Sequence, residues 1–156
     1  MTKHDFNDGN GPVPAHKHSN GGGWVADTAT VADTAYVGPK AVVFGDAKVS
    51  DNARVYGNAE VYDNAEVCGN ARVYGKAWVY SNAEVFGNAT VYGDAKVYGN
   101  ARVFGNARVF GNASVYGDAT VYGDDAIYLG KFYDVKEIGG PEKDRIFING
   151  KWYVEE

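Results

Sequence analysis

Ala53-Arg54-Val55-Tyr56-Gly57-Asn58 is followed directly by Ala59-Glu60-Val61-Tyr62-Asp63-Asn64 and then by Ala65-Glu66-Val67-Cys68-Gly69-Asn70. Working outward in both directions, the same six-residue unit runs without interruption from residue 29 to residue 124, sixteen copies in all, each with Ala first and Val third. An imperfect copy, Gly23-Trp24-Val25-Ala26-Asp27-Thr28, leads in. Within a unit, Ala-x-Val-Tyr alternates with period two, which is the pattern of a short strand with two faces. One face carries only Ala and Val; the other carries a variable residue and usually a ring. The remaining pair, such as Gly57-Asn58 or Gly93-Asp94, favours a turn and tolerates positive φ. Glycine in nearly every unit and Val at fixed phase oppose a helix. Strands this short are unstable alone, so successive units must stack in parallel and bury Val and Ala in a narrow interior.

The remaining composition restricts function more than it defines it. Among 156 residues there are 15 basic and 20 acidic side chains, a net charge of −5, which speaks against a nucleic-acid partner. No run of 18 apolar residues marks a membrane span, and Met1-Thr2-Lys3-His4-Asp5-Phe6 lacks the apolar centre of a signal peptide. The single cysteine, Cys68, rules out an internal disulfide framework and suits a reducing, cytoplasmic setting, while remaining compatible with association with a virion. No cofactor is called for.

The aliphatic residue of one unit followed four positions later by the small residue of the next, as in Val55 and Ala59, resembles the hexapeptide-repeat left-handed parallel β-helix family. The resemblance covers about two thirds of the chain. It implies an all-β, triangular, left-handed solenoid in which three units, about 18 residues, form each coil. Sixteen units would then make a rod roughly 26 Å long at a strand spacing of about 4.8 Å. Near-identical units of this kind resemble hexapeptide-repeat proteins of bacterial and bacteriophage genomes, and more distantly the hexapeptide acyltransferases and zinc-dependent carbonic anhydrases. Those enzymes use a histidine on a coil or an inserted loop, at sites between subunits. Residues 29–124 contain neither a histidine nor an insertion, so the chain is expected to be a non-catalytic structural or protein-binding solenoid. An acyltransferase-like enzyme with an inter-subunit site is the competing reading.

Residues 18 apart should stack, so each face reads as a column. On the third face, Phe44, Tyr62, Tyr80, Tyr98 and Tyr116 form an aromatic ladder with Trp78 at its centre. Stacked rings stabilise their own rungs. A flat apolar face is also seldom left uncovered, which makes these residues the candidate protein-binding or self-association surface. In the resembled family such faces build trimers, and a homo-oligomer, trimer or dimer, is expected. The second face sets Arg54, Arg72 and Arg108 beside Tyr56 and Tyr74, a pattern suited either to a phosphorylated or single-stranded ligand or to guanidinium groups resting on their own tyrosines. Regular Thr arrays of the kind an ice-binding solenoid needs are lacking, since the outward positions mix Thr, Arg, Lys and Glu. Cys68 falls at an outward ring-type position, beside Glu66 and no base.

The ends complete the expectation. Residues 1–22 read as a flexible lead, 23–124 as the solenoid and 125–156 as a cap. All three histidines, His4, His16 and His18, lie in the lead, where His16-Lys17-His18 could offer two imidazoles to a metal. After Asp124 an extra Asp125 moves the next Ala to 126 and breaks the phase. Ala126–Leu129 and Phe132–Val135 read as further strand, and Asn149-Gly150 between apolar runs signals a hairpin.

Overall fold

The computed structural model describes residues 1–128, 130–133, 145–148 and 151–154, and none of these is helical. The repeat winds into a parallel β-solenoid in which each residue pairs with the residue one coil on, as Glu66 does with Lys48 and with Glu84. Three sheets form the sides. The first runs from Thr30–Val31 to Thr120–Val121, and the second from Tyr36–Val37 to Ala126–Ile127 and beyond. The third runs from Trp24–Ala26 to Lys131–Tyr133, making about six turns. Every repeat Ala and Val from Ala35 to Val121 is fully buried, so the interior is the column of small aliphatic groups that the alternation implies.

Most corners are tight turns closed by the N–H of the next unit's Ala onto the carbonyl of the ring-position residue, as in Ala59 to Tyr56 at 3.4 Å. Gly57 has φ +64° while Asn58 does not share the positive region, so the residue that tolerates positive φ at least cost stands first, which explains the order Gly-Asn. A Cβ on Gly57 would also lie 2.9 Å from the Gly75 nitrogen one coil away, so the corner glycines serve close backbone stacking as well. Asp51 and Asp63 occupy the same strained position with φ of 58° and 57°. Their carboxylates offset it by accepting the N–H of Gly69 (3.0 Å) and Ser81 (3.1 Å) in the next coil.

The second corner residue builds a ladder that turn propensity alone did not suggest. Asn70 donates its side-chain amide to Asn88, Asn88 to Asn106, and Asn106 to Asp124 at 2.9 Å. A parallel run passes from Asn82 through Asn100 to Asp118. Both runs end on an aspartate, which accepts without needing a further acceptor itself. At the first corners, where Asp27-Thr28 and Asp33-Thr34 replace Gly-Asn, the hydroxyls of Thr28 and Thr34 donate to the carbonyls of Gly45 and Asp51.

The ends differ from the sequence expectation in two respects. Residues 1–22, read as a flexible lead, carry two strands. β1 (Lys3–His4) pairs antiparallel with β2 (Val13–Lys17), and β2 with β3 (Trp24–Ala26), so the first edge of the third sheet is covered. The reason is visible at Ala26, which stands where Phe44 stands one coil later: the small side chain leaves room for Phe6, which is buried there and stacks on Phe44. At the other end, Asp125 is not an insertion. Arg108 pairs with Ala126 and Val109 with Ile127, an unbroken step of one coil that puts buried Asp125 in the Ala position and Ile127 in the Val position. The phase shifts one corner later: the Ser114 N–H donates to the Gly130 carbonyl, and Ser114 pairs with Lys131, so that corner is one residue shorter. Arg145–Ile148 then adds in parallel to Ala126–Ile127 and pairs antiparallel with Lys151–Val154. The proposed turn residues Asn149 and Gly150, together with Leu129, Asp134 and Val135, lie outside the described residues.

Candidate functional site

On the third face the expected column forms. Phe44–Tyr62, Tyr62–Tyr80, Tyr80–Tyr98 and Tyr98–Tyr116 stack with ring centroids 4.8–4.9 Å apart and planes within 6° of parallel. Phe6 adds a sixth ring, 4.9 Å from Phe44. The rung spacing of parallel strands is about 4.8 Å, so the backbone dictates this stacking once a ring occupies the same position in each coil. It has a chemical consequence. The ring faces are taken up by their neighbours, and what the column turns outward is edges and phenol oxygens. Burial holds the Tyr62 phenol well above its ordinary pKa, reinforced by Tyr80, Asp63 and Glu60, and burial raises Tyr80 and Tyr98 as well.

Trp78 pairs with Glu60 and Lys96 in the adjoining coils. It occupies the variable position, beside the ladder rather than within it, and meets Tyr80 edge to face at 6.5 Å and 73°. The Lys96 ammonium rests over its indole at 4.6 Å. Trp78 borders two depressions. In one, Lys76, Lys96, Glu60 and Asp94 surround it on the solenoid surface. The other is a cleft of about 570 Å³ between the third face and the loop Asn7–Asn10, lined by Phe6, Phe44, Tyr62, Glu60, Asp63 and Asp8. Glu60 lines both. Asp63 bonds to the Ser81 N–H, and Asp8 accepts from the backbone and side chain of Asn10, which lowers its pKa. The Glu60 carboxylate has no hydrogen bond or ion pair among the described residues, and burial raises its pKa. The sequence reading missed Phe6, Asp8, Glu60 and Asp63. The available signal was Ala26 at a ring position, with the one upstream aromatic able to replace it.

The second face divides its arginines. Arg54 lies over both Tyr36 (5.0 Å) and Tyr56 (5.4 Å), so this guanidinium is used within the chain. Arg72 and Arg108 make no ion pair among the described residues, and Arg72 is in register with Arg54. Tyr56, Tyr74, Tyr92 and Phe110 stack at 4.8–5.0 Å. On the first face, charges are neutralised in place, by Lys48–Glu66 (3.2 Å) and Glu84–Arg102 (3.1 Å).

His16 and His18 have separate partners. The exposed His16 donates from Nδ1 to Asp27 Oδ1 at 2.8 Å. His18 is buried and donates from Nε2 to the Ala35 carbonyl at 2.9 Å, closing the end of the second sheet beside Asn20, which bonds the same carbonyl. Ligation of a metal through His18 Nε2 would forfeit that bond. Among the described residues no three His, Cys, Asp or Glu side chains are grouped to hold a metal ion. Cys68 is half-buried, and burial followed by Asp51, Glu66 and Glu84 raises its pKa, which suppresses the thiolate. No helix is long and apolar enough to cross a membrane among the described residues.

The coil geometry agrees with a known repeat. Residues 47–63, 65–81, 95–111 and 101–116 match the model of the YdcK Beta solenoid repeat. These segments carry a β-solenoid repeat. Each spans about one coil, and all lie in the region where corner ladders and ring columns are regular. No curated protein and no solved structure matches the chain.

Proposed function

We propose that this chain is a non-catalytic β-solenoid that serves as a rigid binding rod and self-associates, as a dimer or trimer, through its third face. The observation that carries the reading is Trp78. It is a large, half-buried indole on a flat sheet surface, next to a row of tyrosine edges that the N-terminal strap covers only as far as Phe44. Aromatic residues on a rigid surface lose little side-chain entropy on contact and dominate the energetics of interfaces. The ladders favour protein over nucleic acid as the partner, because their ring faces are already stacked and offer no platform to a base. A bacteriophage- or prophage-encoded rod with the left-handed winding implied by its resemblance fits this role.

Light scattering of the wild type and of Trp78→Lys/Tyr80→Lys tests the proposal. A mass of two or three chains that falls to one in the double variant supports it. A wild type that is already monomeric, and unchanged by the substitutions, refutes it.

The acyltransferase-like reading has one observation in its favour. Asp27 fixes the imidazole of His16 by its Nδ1 at the surface, as an oriented general base would be held. Release of coenzyme A from acetyl-coenzyme A that disappears in His16→Ala would support this alternative; turnover independent of His16 would remove it.

A further inference from the structure

The cleft beneath the Asn7–Asn10 loop has a one-sided composition. Its walls are aromatic, from Phe6, Phe44, Tyr62 and Trp78, and its only charged groups are the carboxylates of Asp8, Glu60 and Asp63. No lysine or arginine lines it. This differs from the first face, where acids and bases pair along the rungs. It also differs from the adjoining depression, where Lys76 and Lys96 are present. An unpaired, partly desolvated carboxylate such as Glu60 is costly unless a cation comes to it. The carboxylates are not grouped for a metal ion, and the apolar walls suit an organic cation, whose hydrocarbon part the ring edges can cover while the carboxylates and the Trp78 indole, which stands outside the stack, attract the charge. The same indole already accepts an ammonium within the chain, from Lys96 at 4.6 Å.

We propose that this cleft binds an alkylammonium group, supplied by a lysine side chain of a partner protein or by a free amine. The proposal rests on the reading of the third face as a binding surface. It does not rest on self-association, because one chain forms the whole cleft. Asp8 and the loop carrying it close one side, Glu60 supplies a counter-charge that is held in no ion pair among the described residues, and Trp78 with the edge of Tyr62 supplies the apolar contact.

The test is titration of the full chain at low salt, followed by tryptophan fluorescence and by calorimetry. The probes are cadaverine, N-acetyl-lysine methylamide and, as the neutral counterpart of cadaverine, pentanediol. Both amines are expected to bind saturably and pentanediol not to bind. Glu60→Gln and Trp78→Leu should each weaken the amines by about tenfold, and Glu84→Gln on the first face should leave them unchanged. Positions 60, 78 and 84 point out of the core, so the variants are expected to fold, and circular dichroism verifies it. Tighter binding of the lysine derivative assigns the site to a protein partner, and tighter binding of cadaverine to a free amine; each supports an alkylammonium site. Pentanediol binding as well as cadaverine, an affinity indifferent to Glu60→Gln and Trp78→Leu, or no saturable amine binding overturns it. Should the cleft fail while Trp78→Lys/Tyr80→Lys still lowers the mass, the self-association reading survives alone.

Discussion

Adjacent residues Glu84 and Val85 provide a severe check on the architecture, because the alternation sends one outward and the other to the axis. Val85 has no exposed surface and lies in register between Val67 and Val103. Replacing it with Asp removes about 1.5–3 kcal/mol of burial. It also places a carboxylate among Val and Ala side chains that carry no donor, for which the effective penalty is several kcal/mol. The sum approaches the whole stability of a typical domain, about 5–15 kcal/mol. Contacts in a solenoid run chiefly between neighbouring coils, so the damage should centre on the middle of the rod and divide it into two weaker pieces. Glu84 is half-exposed and pairs with Arg102 at 3.1 Å, so Glu84→Ala should cost only about 0.2–1 kcal/mol. Urea denaturation followed by far-ultraviolet circular dichroism compares the two. Val85→Asp is expected to lose most of its strand signal in buffer, with Glu84→Ala nearly superposable on the wild type. A Val85→Asp midpoint within about 1 kcal/mol of the wild type would refute the placement of Val at the axis.

Four further outcomes follow from the geometry. Gly93→Ala should destabilise the rod by about 1–3 kcal/mol in the same denaturation assay, since its φ is +69° and a Cβ would lie 3.0 Å from the Gly111 nitrogen. Phe6→Ala should release the strap without unfolding the coils, seen as faster proteolysis and amide exchange over residues 1–17 with an unchanged main melting transition. Because burial raises the folded-state pKa of Glu60, its contribution to stability is present below the unfolded-state value and is lost as pH rises through the folded-state value. Glu60→Gln should therefore raise Tm at neutral pH and converge with the wild type below the carboxylate range. Cys68 in the folded chain should react with iodoacetamide more slowly than in urea at the same pH, and equal rates would contradict the raised thiol pKa.

Much of the rod was legible because the repeat overdetermines it. Ala and Val recur at a fixed phase, a period-two strand can bury only one side, and six residues leave room for a single strand and corner. Sequence alone therefore determined the interior, the parallel stacking and the columns of Phe44, Tyr62, Tyr80, Tyr98 and Tyr116. Their close stacking then followed from the spacing of the backbone itself. What lay beyond the repeat had no such redundancy. Asp125 looked like an insertion because a polar residue stood where Ala was due, yet backbone register outweighed that preference and the phase changed one corner later. Phe6 was a lone aromatic in a polar segment until the chain folded back over Ala26, a contact between residues 20 positions apart that no local period encodes. Only the tertiary structure could therefore decide the cleft. Its aromatic floor belongs to the repeat, but its enclosing wall and one of its carboxylates come from a segment whose position is set by a vacancy on the solenoid.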